Sequence, residues 1–464
     1  MMHMTVGEAA KVVKGTILYQ GQIIEPSHPA AEALITSIIL DSRKAICGSL
    51  FVPVIGEKVD AHRFIPQVFS AGSTASLSME DIKGSIDGLI IRVADTETAL
   101  MTIASELRKH IPQPIIGVTG SVGKTTTREM IALALKGGKK VYATAGNQNS
   151  QLGVPLTLAA FDDSAEIGVL EMGISFPGEM HHLADMVRPD MAVFTNIGIT
   201  HLENLKTREN ILKEKMGICE YMKAGSAVIL NKDNDLLSSC SLPEGLKAYY
   251  YGSTPDCDAY YTDLCFSGGR MNCTAHIAGT DVKVSLKVYD QHLILNALAA
   301  LLAAYLNGVD PADAAASLNQ YKGFAHRQQI IEAGDVIIID DSYNASPASM
   351  KSALEVLSKI ECRGKRIAVL ADMKELGENE ALEHKVIGQY IAELGIVDQL
   401  LVLGPLGAVI LKNAGDIQGK AFTDRNALDA YLADIVKPGD AVLFKGSNSM
   451  KLFDSAENLI QTFR

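Results

Sequence analysis

The chain has 464 residues, of which 47% are hydrophobic, which is enough for several packed cores and, by the usual size of domains, about three domains. Its formal net charge of −12 argues against binding to nucleic acid, which requires a basic surface. The seven cysteines are scattered and odd in number, which is typical of reduced thiols rather than of a disulfide framework.

The first residues mix charged and apolar side chains without an uninterrupted apolar run, so no signal peptide is predicted. The most apolar helical segment, at 293–306, is too short to span a bilayer and is interrupted by Asn296. These features predict a cytoplasmic protein that does not insert into membranes. We expect a monomer whose partners are small molecules.

Short strands are predicted at 37–40, 50–54 and 88–93, and Pro112 and Pro114 then bracket a predicted linker. Beyond the linker, apolar runs at 115–119, 167–172, 191–196 and 227–231 alternate with helical stretches. This alternation indicates a mainly parallel α/β sheet. A more polar, β-rich insertion is predicted at 248–288, and the apolar helix at 293–306 follows it.

A second alternation begins after Gly323. Its predicted strands are 336–340, 366–371, 399–403 and 441–445, with helical stretches at 349–358, 380–393 and 450–462. This order is typical of a Rossmann-like unit, although no G-x-G-x-x-G fingerprint opens it. The sequence therefore predicts an α/β protein of three domains, at 1–111, 112–322 and 323–464.

The most informative stretch, IGVTGSVGKTTT at 116–127, lies between a predicted strand and a predicted helix at 125–135. Glycines let the backbone approach a phosphate closely, and the helix N-terminus adds partial positive charge there. The residues predicted to surround the phosphates are Gly120, Ser121, Gly123, Lys124, Thr125 and Thr126.

In such a loop the lysine, Lys124, would reach the terminal phosphates and the hydroxyl of Thr125 would contact Mg²⁺. The strict pattern wants glycine where this chain has Val118, so a plain strand-to-helix turn is the alternative. The strand–loop–helix context favours a site for a nucleoside triphosphate, that is, a P-loop.

Three further polar groups follow predicted strands of the same region, where α/β sheets place functional residues. Glu171 lies at the end of the run at 167–172, His201 follows the run at 191–196, and Lys215 lies in a predicted helix at 208–221. Thr125 and Glu171 would make a reasonable set of oxygen ligands for Mg²⁺. Histidine is a less usual ligand, so His201 can equally be an ordinary loop residue, and Lys215 can be a solvated helix lysine.

The order of several motifs carries a resemblance to a known family. They are GVTGSVGKTTT at 117–127, NQNSQLGVPLTL at 147–158, EMG at 171–173, TNIGITHLENL at 195–205 and KEKMGI at 213–218. In this order they resemble the Mur ligases, which use ATP to join an amino acid or peptide to a UDP-linked muramoyl precursor of peptidoglycan. DSR at 41–43, GSLFV at 48–52, DDSYNASP at 340–347, MKELG at 373–377 and KGS at 445–447 extend the resemblance over essentially the whole chain.

The resemblance implies an N-terminal domain for the UDP-linked substrate, a central ATP-binding domain and a C-terminal Rossmann-like domain. It also implies two Mg²⁺ ions and a carbamylated Lys215. A neutral lysine amine captures CO₂ and becomes an anionic carbamate, which requires an amine that loses its proton readily. The implied metal ligands are Thr125, Glu171, His201 and Lys215. The implied catalytic residues are Lys124, His201, Lys215 and Arg327.

Residues implied to contact the nucleotide besides the P-loop are Asn296, Arg327, Asp341 or its neighbour Asp340, Tyr343 and Asn344. Ser42 and Arg43 would hold the UDP-linked substrate, together with Asn149, although an ordinary turn is the alternative for 41–43. Domain closure is expected around the site, with hinges near Pro112 and Gly323. The chain departs from the family pattern at Ala61, where glycine is usual, and at Asn448, where arginine is usual.

Within the family the motifs are most similar to those of the ligases that add D-alanyl-D-alanine to UDP-N-acetylmuramoyl-tripeptide through an acyl phosphate. The resemblance implies the same activity here, in the cytoplasmic synthesis of the peptidoglycan precursor. A sister ligase with another amino-acid acceptor, a nucleotide-binding regulatory protein of the same fold and a P-loop kinase are the alternatives. The Asp-Asn-Pro-Arg acceptor motif of the third-step ligase is absent, which counts against that sister enzyme.

Overall fold

A computed structural model of the protein describes residues 4–56, 58–80, 88–267 and 269–464. Within these ranges the strands form three large sheets and one two-stranded sheet. The strands of the three large sheets lie within 16–92, 115–286 and 329–445. The predicted domain boundaries at 111/112 and 322/323 fall between these sheets, and their positions stay predictions.

The described part of the N-terminal region contains eight strands and three α-helices. They are β1 (Met4–Thr5), α1 (Val6–Val13), β2 (Thr16–Tyr19), β3 (Gln22–Ile24), β4 (Leu34–Ile35), β5 (Ser37–Ile39), β6 (Ser49–Phe51), α2 (Ile65–Ser70), β7 (Ala75–Ser78), β8 (Leu89–Arg92) and α3 (Thr96–Lys109). The sheet order is β3-β2-β8-β7-β6-β5, and β1 pairs with β4. Strands β5 to β8 are parallel, whereas β2 is antiparallel to both neighbours.

The three strands predicted in this region are confirmed as β5, β6 and β8, with shorter ends. The largest difference is at β6, which ends at Phe51 rather than at residue 54. Pro53 follows and has no N–H group to donate to a sheet, which explains the early end.

The central region, within the described residues, contains nine strands and eight α-helices. They are β9 (Ile115–Thr119), α4 (Lys124–Leu135), β10 (Val141–Ala143), α5 (Gly153–Ala159), β11 (Ile167–Glu171), α6 (Glu179–Val187), β12 (Met191–Phe194), α7 (Leu202–Leu205), α8 (Arg208–Met216), β13 (Ala227–Asn231), α9 (Asp235–Ser239), β14 (Lys247–Tyr251), β15 (Ala259–Ser267), β16 (Arg270–Ile277), β17 (Thr280–Leu286), α10 (His292–Leu306) and α11 (Pro311–Leu318).

These nine strands form one sheet in the order β10-β11-β9-β12-β13-β14-β15-β16-β17. The first seven strands in this order, including β9, are parallel to one another. Strands β16 and β17 extend the sheet in antiparallel orientation. The parallel sheet predicted for this region is confirmed. The segment at 248–288, predicted as an insertion, instead continues the central sheet.

The P-loop strand β9 is buried at all five positions, as expected for a parallel sheet with helices on both faces. Helix α10 is the main cover of one face, and its residues Leu298 and Leu302 pack in one cluster with Met130 and Ile131 of α4. Helix α10 is therefore apolar because it packs in the core of the central region. Across the described residues, no helix combines the length and apolar character that crossing a bilayer demands.

The prediction for helix α8 needs a correction, because the helix ends at Met216 rather than at residue 221. A 3₁₀ turn, Gly217–Cys219, follows it. Glycine is a poor helix former, so the end of the α-helix at Gly217 has a local cause.

The C-terminal region contains, among the described residues, six strands and five α-helices. They are β18 (Gln329–Ala333), β19 (Val336–Asp340), α12 (Pro347–Lys359), β20 (Arg366–Ala371), α13 (Glu380–Leu394), β21 (Gln399–Leu403), α14 (Gly407–Lys412), β22 (Gln418–Phe422), α15 (Arg425–Ile435), β23 (Ala441–Lys445) and α16 (Leu452–Phe463).

These strands form a sheet in the order β18-β19-β23-β20-β21-β22, parallel except for β18. Apolar clusters on its two faces pack against α12 to α14 and against α15 and α16. The four strands predicted here are confirmed residue for residue. The edge strands β18 and β22 were not predicted, and four of the five positions of β22 are exposed.

Arg108, near the end of α3, joins the N-terminal region to the central one. Its guanidinium donates to the carbonyl oxygens of Val187 at 2.7 Å and Arg188 at 3.3 Å, and to the carboxylate of Asp190 at 3.2 Å. These contacts of a partly buried arginine link the two regions, and the hinge predicted near Pro112 stays a prediction. The second joint differs, because Gly323 has a φ of +82° within a turn-rich linker.

Candidate active site

The loop between β9 and α4 has a backbone that requires glycine at two points. Gly120 has a φ of +147° and Gly123 a φ of +81°. A Cβ atom on Gly120 would lie 1.9 Å from Oγ1 of Thr195, so a side chain cannot be placed there without moving the neighbouring loop. The two glycines predicted to let the backbone approach a phosphate therefore have the geometry that this role needs.

The loop that follows β12 supports the P-loop. The N–H groups of Ser121 and Val122 donate to the backbone and side-chain oxygens of Asn196, each at 2.9 Å. In return, the hydroxyl of Thr195 donates to the carbonyl oxygen of Val122 at 2.5 Å. Because these two N–H groups are used internally, a phosphate would instead meet N–H groups at the N-terminus of α4, including that of Gly123.

Lys124 is the first residue of α4, and its Nζ donates to two carbonyl oxygens of its own loop, at 2.9 and 3.4 Å. The amine thus lies over the loop, where a phosphate would replace the carbonyl oxygens as its partner. Burial lowers the pKa of Lys124, Glu171 opposes this effect, Arg327 adds to it and Glu375 opposes it. Three charged side chains therefore act on the amine of Lys124.

Glu171, at the end of β11, is almost fully buried, with 1% of its surface exposed. Its Oε2 accepts a hydrogen bond from the Thr125 hydroxyl at 2.7 Å, and its Oε1 accepts one from the Asn149 amide at 2.6 Å. The two predicted metal ligands Thr125 and Glu171 are thus in contact. Asn149 is placed as a partner of Glu171, and its predicted role toward the substrate stays a prediction.

The donor set at this point fits Mg²⁺ that arrives with a nucleotide. Thr125 and Glu171 supply a hydroxyl and a carboxylate oxygen, and Mg²⁺ in nucleotide sites takes its other ligands from phosphates and water. Within the described ranges, no group of three or more His, Cys, Asp or Glu side chains could hold a metal ion alone. The predicted roles of His201 and Lys215 as metal ligands therefore stay predictions.

Lys215, on α8, is fully buried, and its Nζ has no hydrogen-bond partner among the described residues. Burial lowers its pKa well below the ordinary value, and the positive charge of Lys124 adds to this effect. The alternative of a solvated helix lysine is therefore wrong. A buried amine that loses its proton readily is the state that carbamate formation requires.

The neighbour of this lysine, Glu214, fixes helix α8 against α6. Its two carboxylate oxygens accept hydrogen bonds from the N–H groups of Gly178 and Met180, both at 3.0 Å. These donors belong to the N-terminus of α6, where a negative charge is favourable. The contact holds Lys215 at its buried position.

His201 precedes α7 and has a left-handed backbone, with a φ of +60°. Its Nδ1 lies 2.7 Å from Oε2 of Glu375, which belongs to the C-terminal region, although the approach is outside hydrogen-bond geometry. The proximity of His201 lowers the pKa of Glu375. The alternative of an ordinary loop histidine is weakened, because His201 lies at the contact between the two regions.

On the nucleoside side, Arg327 and Asn296 lie near the P-loop. The guanidinium of Arg327 stacks on the ring of Tyr343, with its Cζ 4.1 Å from the ring centre. The side chain of Asn296, on α10, lies 3.5 Å from the position that a Cβ on Gly123 would occupy. A cavity of about 410 Å³ opens beside Arg327, between the central and C-terminal regions.

The loop that follows β19 is held by Lys445, the lysine of the KGS motif. Its Nζ contacts Oδ2 of Asp341 at 2.6 Å and the carbonyl oxygen of Asn344 at 3.1 Å. Burial raises the pKa of Asp341 and the charge of Lys445 opposes this effect. Asp340 lies 2.7 Å from Nδ1 of His326. Both aspartates have protein partners, so their predicted contact with the nucleotide stays a prediction.

Ser42 and Arg43 lie in a 3₁₀ turn of the N-terminal region, Ser42–Lys44. Arg43 is 83% exposed and lies 2.7 Å from the carboxylate of Asp41. Hydrogen bonds from Arg43 lower the pKa of Asp41 to about 2. These residues are not among those that converge on the P-loop, and their role toward a substrate stays a prediction.

Sequence reasoning missed two features of the site. Glu375 lies within the motif MKELG at 373–377, which signalled its importance without assigning it a role. Tyr321 lies beside Thr126, and burial raises its pKa to about 12. Nothing in the local sequence connects Tyr321 with the P-loop, since the two meet only through the packing of the central region.

Two family models match the chain: the Mur ligase middle domain over residues 118–304 and the Mur ligase glutamate ligase domain over 326–448. Together they cover more than half of its length. The chain belongs to the Mur ligase family.

Curated relatives are similar over nearly the whole chain. A Bacillus subtilis (strain 168) protein is 34% identical over 100% of this chain and 99% of its own length, and it is named UDP-N-acetylmuramoyl-tripeptide–D-alanyl-D-alanine ligase. An Escherichia coli (strain K12) protein of the same name is 30% identical over 94% of this chain and 96% of its own.

Solved structures agree with the fold. MurF from Acinetobacter baumannii superposes with a TM-score of 0.87 at 28% identity, covering 99% of both chains. MurF ligase from Thermotoga maritima in complex with ADP gives a TM-score of 0.78 at 30% identity, covering 92% of this chain and 96% of its own. The predicted three-domain α/β architecture and the family resemblance are confirmed.

Proposed function

We propose that this protein is an ATP-dependent ligase that adds D-alanyl-D-alanine to UDP-N-acetylmuramoyl-tripeptide and releases ADP and phosphate. Support comes from full-length relatives with this name, the first of them 34% identical. The observation that carries the chemistry is the convergence of Lys124, Thr125 and Glu171 with the buried amine of Lys215.

In the first step, a carboxylate oxygen of the tripeptide attacks the γ-phosphorus of ATP. A new C–O–P linkage forms, the bond from the γ-phosphorus to its bridging oxygen breaks, and ADP leaves with the electron pair. Both reactants are anions, so the site must place positive charge between them. Lys124 and Arg327 are the side chains of this chain suited to that role.

Thr125 and Glu171 would hold a Mg²⁺ ion, which supplies positive charge to the phosphates when it is bound. Asn149 would keep the carboxylate of Glu171 oriented through its 2.6 Å hydrogen bond. The neutral amine of Lys215 would add CO₂ and release one proton, which leaves an anionic carbamate at a buried position. Glu214 would keep the helix of Lys215 in place.

In the second step, the amine nitrogen of D-alanyl-D-alanine attacks the carbonyl carbon of the acyl phosphate. The tetrahedral intermediate collapses to the amide, and phosphate leaves. The entering ammonium group loses two protons in all: phosphate takes up one of them and solvent takes up the other. The acyl phosphate would hydrolyse in water, so closure of the C-terminal region at Gly323 would protect it.

The test is phosphate release from ATP with purified protein and Mg²⁺, adding the UDP-linked tripeptide and D-alanyl-D-alanine separately and together. Sustained release only with both, together with the mass of the UDP-linked pentapeptide, would support the proposal. Lys124→Ala should abolish release, whereas Lys136→Ala, an exposed lysine at the other end of α4, should not. Release with another amino acid in place of the dipeptide would indicate a sister ligase, and ATP binding without turnover would indicate a regulatory protein.

A further inference from the structure

A loop of the C-terminal region reaches the P-loop side of the central region and brings a carboxylate with it. It follows β20 and contains Glu375, whose Oε2 lies 2.7 Å from Nδ1 of His201. Two residues later, Gly377 lies against the helix that follows His201, since a Cβ on it would be in ordinary contact, 3.4 Å from Cα of Glu203. These contacts place Glu375 between the two regions that must act together.

The backbone of this loop is fixed in a costly conformation. Glu375 has a φ of +66° and faces His201, which has a φ of +60°. Left-handed conformations of residues other than glycine persist where the surrounding structure imposes them, and they cluster at functional sites. Here the N–H of Met373 donates to His384 at 2.8 Å and the N–H of Lys374 donates to Ser447 at 2.8 Å, which holds the loop from the C-terminal side.

Glu375 places a negative charge near the predicted site of the ATP phosphates, which are themselves negative. The loop that carries His201 contacts the P-loop, because the N–H of Gly198 donates to the hydroxyl of Ser121 at 2.9 Å. Glu375 lies close enough to Lys124 to raise the pKa of that amine. Its side chain is 56% exposed, so a ligand can reach the carboxylate, although Oε2 lies 2.7 Å from Nδ1 of His201. Beside a triphosphate and a substrate carboxylate, another carboxylate is unfavourable unless a cation accompanies it.

We propose that Glu375 binds the ammonium group of the incoming amine substrate and holds its nitrogen beside the acyl phosphate. The inference rests on the proposed function, because in that reaction the ammonium group of the dipeptide must come to lie beside the acyl phosphate. An ammonium group has three N–H donors and no acceptor, which suits an exposed carboxylate. The imidazole of His201 lies beside the same carboxylate, with its Nδ1 2.7 Å from Oε2.

The experiment compares Glu375→Gln and Glu375→Asp with Glu378→Gln, an exposed carboxylate in the same loop that serves as the matched control. Charge-assisted hydrogen bonds of this kind predict that Glu375→Gln raises KM for D-alanyl-D-alanine about 10- to 100-fold. KM for ATP should stay within about twofold, a change too small to signal a lost charge contact. Glu375→Asp, which retains the charge, should recover part of the loss, and Glu378→Gln should resemble the wild type.

A second readout separates binding of the ammonium group from a structural role. N-acetyl-D-alanyl-D-alanine lacks the cation, so in the wild type it should inhibit far more weakly than the free dipeptide binds. In Glu375→Gln this difference should largely disappear, because the charge that recognises the ammonium group is gone. An unchanged difference would overturn the proposal, as would an equal rise in KM for ATP and for the dipeptide.

A third readout distinguishes a wrong role for Glu375 from a wrong assignment of the ligase reaction. With ATP and the UDP-linked tripeptide but no amine, borohydride should trap the acyl phosphate as an alcohol of known mass in both the wild type and Glu375→Gln. Loss of trapping in the variant alone would show that Glu375 acts in the first step, and the proposal would be wrong. Absence of trapping in the wild type would refute the acyl phosphate reaction itself, and the role of Glu375 with it.

Discussion

Replacement of Gly120 by alanine is the sharpest test of the P-loop geometry. The backbone at Gly120 has a φ of +147°, and an added Cβ would lie 1.9 Å from Oγ1 of Thr195 and 3.1 Å from the backbone nitrogen of Asn196. The hydroxyl of Thr195 cannot simply rotate away without cost, because it donates to the carbonyl oxygen of Val122 at 2.5 Å. The substitution must therefore move either the P-loop or the loop that supports it.

The expected loss of stability has two parts. A non-glycine residue in this region of φ costs about 1–3 kcal/mol. Overpacking against a closely packed neighbour costs about 1–3 kcal/mol more. A loss of at least about 2 kcal/mol in the free energy of unfolding corresponds to a fall in Tm of about 4–8 °C for a region of this size. Binding of ADP should weaken at least about tenfold, since a displaced loop also shifts the N-terminus of α4, whose N–H groups would meet the phosphates.

The assay is thermal unfolding together with a titration of ADP by calorimetry. Gly138→Ala is the matched control, because it makes the same change beyond the other end of α4, where a Cβ would lie 3.5 Å from Val309 in ordinary contact. The control should keep the Tm and the ADP affinity of the wild type. If Gly120→Ala does the same, the loop does not have a backbone that requires glycine at this position, and the phosphate site does not depend on that geometry.

Three further outcomes are expected. Lys215→Ala should lose activity, and short carboxylic acids should restore part of it if a carbamate acts there; full activity without them would remove the carbamate from the mechanism. Arg108→Met should lower the free energy of unfolding by about 1–3 kcal/mol in denaturant titrations, because partly buried oxygens of Val187 and Asp190 lose their partner. Burial raises the pKa of Tyr321 to about 12, so its contribution to stability should be lost as the pH rises from about 10 through 12. Tm measured against pH should therefore fall less steeply in Tyr321→Phe, and parallel curves would contradict the buried phenol.

The strands of the C-terminal sheet illustrate what local sequence can specify. Val336–Asp340, Arg366–Ala371, Gln399–Leu403 and Ala441–Lys445 were each predicted to the residue, because a strand buried on both faces reads as a continuous apolar run. The edge strand Gln418–Phe422 is mostly exposed and carries no such run, so only its pairing with β21 identifies it. Burial leaves a signal in the sequence, whereas hydrogen bonding at an edge does not.

The central sheet shows a limit of another kind. The segment at 248–288 reads as a polar, β-rich insertion, yet the pairing of β14 with β13 makes it a continuation of the same sheet. Which strand a segment pairs with depends on contacts between distant parts of the chain. A local pattern gives the strand but not its neighbour.

For the candidate site, the sequence by itself determined the P-loop, because glycine, lysine and threonine at fixed spacing have few other uses between a strand and a helix. Only the tertiary structure decided that Lys215 is buried with no hydrogen-bond partner in the described part of the chain, and that Glu375 meets His201 across the contact of two regions. A pKa shift depends on burial and on charges from other elements, and neither is a property of a residue's neighbours along the chain. The motif therefore predicts nucleotide chemistry. The packing of the three regions determines which side chains meet at the site and how burial and neighbouring charges shift their pKa values.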